Sequence, residues 1–147
     1  MKFQYTTNVA TEKQIFLHLK ECDDNFTPPL DEKLNILEYS KKLSNYSVKF
    51  EAWGDGVLIG LISTYFNDIK NKTGFITNVS ILKEYMGIGI ASRLLNMCVE
   101  YADKNNFREI TLEVKEYNSI AIILYQKFNF TIYGVKDDTV LMKRQIL

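Results

Sequence analysis

The stretch of this chain best suited to chemistry is Met86-Gly87-Ile88-Gly89-Ile90-Ala91. It follows an apolar, strand-like run at residues 73–82. It opens a segment whose apolar residues, Ile90, Leu94, Cys98 and Tyr101, recur at helical spacing. A strand that feeds a glycine turn and then a helix can hold a phosphate. The first amides of a helix lack an intrahelical acceptor, and the aligned peptide dipoles place roughly half a positive charge there. Gly87 and Gly89 have no side chain to keep an anion away, and both tolerate unusual backbone angles. The same glycines would also serve a tight strand-to-helix turn that binds nothing, and a short glycine motif does not separate the two uses. The remaining reactive inventory is thin. Cys22, Cys98 and the single histidine, His18, make neither a zinc-ligand set nor a disulfide scaffold, so no metal is expected. Cys98 falls on the apolar stripe and reads as a buried thiol; His18 reads as incidental, on a surface helix.

A chain of 147 residues suits one domain, 1–147, with a real core. At 46% hydrophobic and 13% aromatic it is globular in composition. Lys and Arg total 18, as do Asp and Glu, which argues against a broad electrostatic footprint for nucleic acid. The N-terminus has no apolar signal core, and no run approaches ~20 continuous apolar residues, so neither secretion nor a membrane partner is expected. With two unclustered cysteines, this suits a reducing cytoplasm.

Patterning along the chain predicts a strand at 3–7 and a helix at 12–21 capped by Asn8 or Thr11. A loop through Pro28 and Pro29 follows, then a second helix capped by Asp31 with Leu34, Leu37 and Leu43 on its inner side. Strands are expected at 47–53 and 57–66, joined at Gly54-Asp55-Gly56, and at 73–82. A helix is expected at 87–105, a strand at 109–115, a short apolar helix at 118–128, and closing strands at 130–135 and 139–143. The strand–helix–strand step across 73–115 implies a right-handed crossover and a parallel pair, hence a mixed α/β sheet.

With its elements in this order, the chain resembles the GNAT superfamily of N-acetyltransferases. That family's phosphate cradle is Gln or Arg, any two residues, Gly, any one, then Gly or Ala. Gly89 and Ala91 fit it, Gly87 is a common family choice, and Met86 replaces the usual Gln or Arg. The second motif, Asn118-x-x-Ala121-x-x-Leu124-Tyr125-x-Lys127-x-Asn129-Phe130, is similar to the family's N-x-x-A-x-x-L-Y-x-K-x-G-F. Asn129 stands where the family has Gly. The position follows a helix end and needs the left-handed conformation, which Asn tolerates best after Gly. Leu112-Glu113-Val114 is similar to a stretch of bacterial ribosomal-protein alanine acetyltransferases.

The resemblance implies a single-domain GNAT fold: about seven strands in a mixed, mostly antiparallel sheet, about four helices, and strands four and five splayed apart. It implies acetyl-CoA as co-substrate, no metal, and a small-molecule or peptide amine as acceptor, attacking directly in a ternary complex. The diphosphate falls to the amides of Met86, Gly87, Ile88, Gly89, Ile90 and Ala91, and pantetheine to the backbone of Val79, Ser80 and Ile81. Asn118 would touch CoA, although a helix N-cap is an equally sound use for it. Tyr125 would protonate the leaving thiolate, whose parent pKa is about 8.5, and Glu113 would be the base. The plainer alternatives are a core tyrosine and a solvated strand carboxylate. Phe26, Tyr65, Asn78 and Tyr133 would line the acceptor side. The family also suggests a homodimer joined through the last strands. A rival reading is a non-catalytic acyl-CoA sensor or interaction module. A dinucleotide-binding oxidoreductase is disfavoured, because Ser92 occupies its third glycine site and the turn follows the fourth strand rather than the first.

Overall fold

The computed structural model describes residues 2–23 and 35–146. Its strands are β1 Phe3–Thr7, β2 Val48–Gly54, β3 Val57–Asp68, β4 Thr73–Ile81, β5 Glu109–Lys115, β6 Thr131–Lys136 and β7 Thr139–Gln145. Its helices are α1 Glu12–Cys22, α2 Ile36–Tyr46, α3 Ile90–Lys104 and α4 Ser119–Lys127. One seven-stranded sheet runs β1-β2-β3-β4-β5-β7-β6. Only β4 and β5 pair in parallel; every other neighbouring pair is antiparallel. This is the mixed, single-domain α/β architecture that the sequence implied.

Side-chain caps start α1, α2 and α4, whereas α3 starts at Gly89 without one. Thr11 closes a capping box with Gln14 at the start of α1. Asn35 caps α2 by accepting from the Glu38 amide at 3.0 Å; Asp31, Leu34 and the Phe26–Pro29 stretch lie outside the described residues. Leu37 is a correction. It is half exposed, while Ile36, Ser40 and Leu43 are buried. A helix starting after Asn35 puts its inner stripe at i, i+4 and i+7 from Ile36, and Leu37 falls about 100° off that line.

The sheet separates two cores. Ile15, Leu19, Ile36, Leu43, Leu58 and Leu61 pack together under α1 and α2. On the other face, Leu94, Leu95 and Cys98 of α3 and Tyr125 of α4 pack against Ile59, Ile62, Ile76, Ile110 and Met142. Two buried charges on β2 fasten the α1–α2 layer. Lys49 donates to the carbonyls of Ser44 and Ser47 at 3.0 Å, holding the end of α2. Glu51, fully buried, accepts from Thr6 Oγ1 at 2.6 Å and from the amides of Val9 and Ala10 at 2.9 and 2.7 Å. That carboxylate sets where α1 begins and therefore where its side chains reach the sheet. Truncating it leaves three donors without their acceptor, two of them part-buried and that of Ala10 buried. Glu51→Ala should therefore lower the unfolding free energy by about 3 kcal/mol, measured as a reduced midpoint of urea denaturation.

Candidate active site

Residues 73–76 of β4 pair with residues 109–112 of β5, and there the pairing stops. Beyond that point β4 is held only by β3, as far as Ile81 against Gly60, and β5 only by β7, as far as Lys115 against Thr139. The separation follows a bulge. Asn78 pairs with Ser63 but Ile76 with Thr64, so Thr77 is the extra residue. The bulge also changes the strand's parity. Ile76, Val79 and Ile81 all pack with the α3 core, whereas Ser80 contacts His18 of α1 and Asn78 contacts Ser80. A cleft of about 1100 Å³ opens between the parted strands, with walls from β4, β5, the glycine turn, α3 and α4. Val79, Ser80 and Ile81 lie along it, and their backbone has no β5 partner.

The glycine turn forms the cleft's mouth. A short 3-10 turn, Lys83–Tyr85, leads into it, and the Met86 amide donates to the Lys83 carbonyl at 3.3 Å. Gly87 and Gly89 have φ of +80° and +91°, and a Cβ on either would meet nothing within 4 Å. They are therefore required for backbone conformation, and the space before them is open. Gly89, as N-cap of α3, has no side chain to offer. The first intrahelical bond to it is Arg93 N to Gly89 O at 3.1 Å. Among the described residues the amides of 87–92 donate to nothing, so the free run is 87–92 rather than 86–91. Gly87, Gly89, Ile90 and Ala91 border the cleft, as does Met86, whereas the exposed side chain of Ile88 points elsewhere. A row of unpaired amides at a helix start is a fit site for a diphosphate.

Tyr125 lies in the cleft wall, buried, with its ring 6.0 Å from that of Phe130. No hydrogen bond to its hydroxyl occurs among the described residues, and burial pushes the phenol up to about 12. It is therefore protonated at neutral pH. Asn118 caps α4, its Oδ1 accepting from the Ala121 amide at 3.3 Å, and it also borders the cleft. Glu113 is exposed on the β5 side of the cleft, between buried Leu112 and Val114. Asn129 has φ of +66°, the left-handed turn anticipated for it. No group of three or more His, Cys, Asp or Glu that could hold a metal occurs among the described residues.

Asn78 reaches the cleft; Tyr65 and Tyr133 do not border it. Tyr65 packs against the α1–α2 core under Lys42, whose Nζ is 5.4 Å from the ring centre. Tyr133 is half exposed on the edge strand, beneath Lys143. Phe26 lies outside the described residues. His18 is a correction: far from being a surface residue, it is 3% exposed. Its Nδ1 faces the Leu58 carbonyl at 2.9 Å and its Nε2 the Ser80 hydroxyl at 2.8 Å. Burial lowers its pKa to about 4, against the opposing pull of its contacts to Leu58 and Ser80. A signal was available, since His18 shares the buried stripe Ile15, Leu19 and Cys22 at helical spacing. Tyr39 and Cys22 also border the cleft and carried no local signal. The Tyr39 hydroxyl is bound to the Thr77 carbonyl at 3.0 Å, at the bulge.

A profile of the acetyltransferase (GNAT) family matches residues 13–130. An N-alpha-acetyltransferase of Saccharolobus solfataricus is 32% identical over 104 residues, 62% of this chain and 62% of that protein. One from Sulfolobus acidocaldarius is 33% identical over 102 residues, 65% of this chain and 60% of its own length. A probable spermine N(1)-acetyltransferase of Bacillus subtilis subsp. natto is 32% identical over 81 residues, 54% of this chain and 53% of that protein. The chain thus spans about three fifths of the first two relatives and about half of the third. The PaiA N-acetyltransferase of Thermoplasma acidophilum, solved with coenzyme A, superposes with a TM-score of 0.79 at 17% identity, covering 99% of both chains. The Escherichia coli ribosomal-protein-S18-alanine N-acetyltransferase gives 0.80 at 15% identity, covering 99% of this chain and 94% of that one. At these identities the structural likeness is one of fold.

The buried imidazole makes stability depend on acidity. Its pKa is about 4 in the fold against 6.5 in a free chain, so between those values the unfolded chain binds more protons. Stability therefore falls as pH drops below about 6.5 and stops falling from this source near 4, for a total on the order of 3 kcal/mol. Denaturant midpoints measured from pH 7.5 to 4.5 should decline for the native chain and decline less for His18→Gln.

Proposed function

We propose, since the chain belongs to the acetyltransferase (GNAT) family, that it transfers an acetyl group from acetyl-CoA to a primary amine by direct attack in a ternary complex. One observation carries this reading: the free amides at the mouth of α3 and the protonated phenol of Tyr125 border the same cleft. Acetyl-CoA, as co-substrate, supplies the activated thioester. The amides of 87–92 hold its diphosphate electrostatically, which fixes the reacting end in place. The edge of β4 along Val79, Ser80 and Ile81, beyond its last β5 pair, binds the pantetheine arm as an added strand, and an amide of that edge stabilises charge on the thioester oxygen. The Tyr125 hydroxyl gives its proton to the departing sulfur. Glu113, exposed on the opposite wall, draws the proton from the incoming ammonium directly or through water. Asn118 borders the nucleotide side while it caps α4.

For the acceptor we infer the α-amino group of a peptide. Relatives named N-alpha-acetyltransferase match over more of this chain than the spermine enzyme does, and Leu112-Glu113-Val114 points the same way. No helix among the described residues is long and apolar enough to cross a membrane. Incubation with acetyl-CoA and each of three acceptors (a heptapeptide with a free N-terminal Ala, spermine, glucosamine) should release free thiol fastest with the peptide. Tight CoA binding without thiol release on any amine would favour the sensor module instead. Tyr125→Phe should reduce turnover ~10²–10⁴-fold with acetyl-CoA binding retained. Equal turnover in that variant removes Tyr125 from the chemistry. Glu113→Gln should flatten the acidic limb of the pH–rate profile, and an unaltered profile would exclude it as the base.

A further inference from the structure

A chain of three buried side chains runs from α1 into the cleft, and the chemistry of its partners assigns its protons. The Leu58 carbonyl can only accept, so His18 Nδ1, 2.9 Å away, carries a hydrogen. In a neutral ring Nε2 then has a lone pair, and both of its neighbours can donate: the Ser80 hydroxyl at 2.8 Å and, more weakly, the Cys22 thiol at 3.7 Å. With its one proton committed to His18, Ser80 Oγ can only accept, so the Asn78 atom 2.8 Å from it is the amide nitrogen. The other end of that amide, Oδ1, makes no hydrogen bond among the described residues, and Asn78 borders the cleft. Turning the amide over would set Oδ1 against Ser80 and either oppose two lone pairs or pull the hydroxyl proton away from Nε2. His18, Ser80 and Asn78 are 3%, 5% and 5% exposed, and at such burial an unmet donor or acceptor is costly.

We propose that His18 and Ser80 are positioning residues that fix the polarity of the Asn78 amide, so that its carbonyl oxygen faces the cleft and accepts a hydrogen bond from the nitrogen of the acceptor. This rests on the acetyl-transfer reading above, and it deepens that reading by giving the acceptor side an N–H-recognising group. Asn78 and Ser80 belong to the α1 side of β4, because the bulge at Thr77 turned them there, while Val79 and Ile81 serve the α3 side. One strand thus divides the cleft, with its backbone open to the pantetheine arm and the Asn78 carbonyl open to the amine. Burial that keeps the imidazole neutral maintains the acceptor at Nε2 on which the arrangement depends.

Three measurements test it. Long-range proton–nitrogen NMR of the ¹⁵N-labelled full chain at pH 7 should show His18 protonated at Nδ1; protonation at Nε2, or a cationic ring, overturns the proposal. In kinetics with the Ala heptapeptide, His18→Asn keeps an N–H toward Leu58 but loses the acceptor at Nε2. It should raise KM for the peptide ~10-fold with KM for acetyl-CoA unchanged. His18→Gln, which keeps an acceptor there, should recover most of that loss, and Ser80→Ala should behave like His18→Asn if the latter folds poorly. Equal effects of the Asn and Gln variants, no effect, or a rise confined to acetyl-CoA overturns the proposal. Titration of alaninamide needs no turnover. It should shift the Asn78 side-chain nitrogen resonance in the native chain and not in His18→Asn, and no shift in the native chain overturns the contact. If no amine is acetylated while the tautomer and the shift are as expected, the acetyl-transfer reading fails and the polarity of Asn78 stands. The wrong tautomer with normal peptide acetylation does the reverse.

Discussion

Parallel pairing that ends after Ile76 and Leu112 decides where the cleft of this protein opens. A backbone amide or carbonyl away from water needs a partner. Where β4 and β5 part, each still has an outer neighbour but has lost the inner one, so two facing edges are left to be completed from the cleft. The opening is maintained by β3 and β7, which grip the parted strands along their length. Close packing then brings the second half of the site to it. A Cβ at Gly60 would lie 2.9 Å from Ile90 Cγ2 and 3.3 Å from Leu94 Cδ1, so the first turn of α3 rests directly on β3. That contact sets the free amides of 87–92 at the end of the opening rather than over the sheet.

The bulge at Thr77 lets one strand serve two environments. On the α3 side the cleft is apolar and carries a phenol whose proton burial retains. On the α1 side it is lined by small polar groups whose hydrogen bonds are fixed by His18. The two sides suit the two halves of an acyl transfer, because the leaving sulfur needs a proton and the incoming nitrogen needs an acceptor. Glu51 belongs to the same device although it is remote from the cleft. By holding the amides that precede α1 it fixes the height of that helix, and so brings His18 to within reach of Ser80.

Much of this was written in short-range pattern. The glycine turn, the stripe of α3, the alternation of β5 and the cap at Asn118 each depend on residues within one element, and local spacing reports on those directly. Asn129 was legible for the same reason, since a helix end needing positive φ selects for Asn where Gly is missing. Leu37 was misplaced because its face depended on where α2 starts, and one residue of phase moves a side chain by about 100°. Tyr65 and Tyr133 have the composition of a binding wall, but strand position sent one into the α1–α2 core and the other to the sheet edge.

By itself, then, the sequence determined the order and type of the elements, the left-handed turns, and the row of amides that no side chain can cap. Those follow from backbone sterics and from side chains a few positions apart. Tertiary structure alone decided that β4 and β5 separate after Ile76, that Met86 spends its amide on Lys83, and that a histidine on an amphipathic helix meets a serine 62 residues away. Pairing partners and proton positions are properties of surfaces brought together by packing, and no spacing along one chain encodes them.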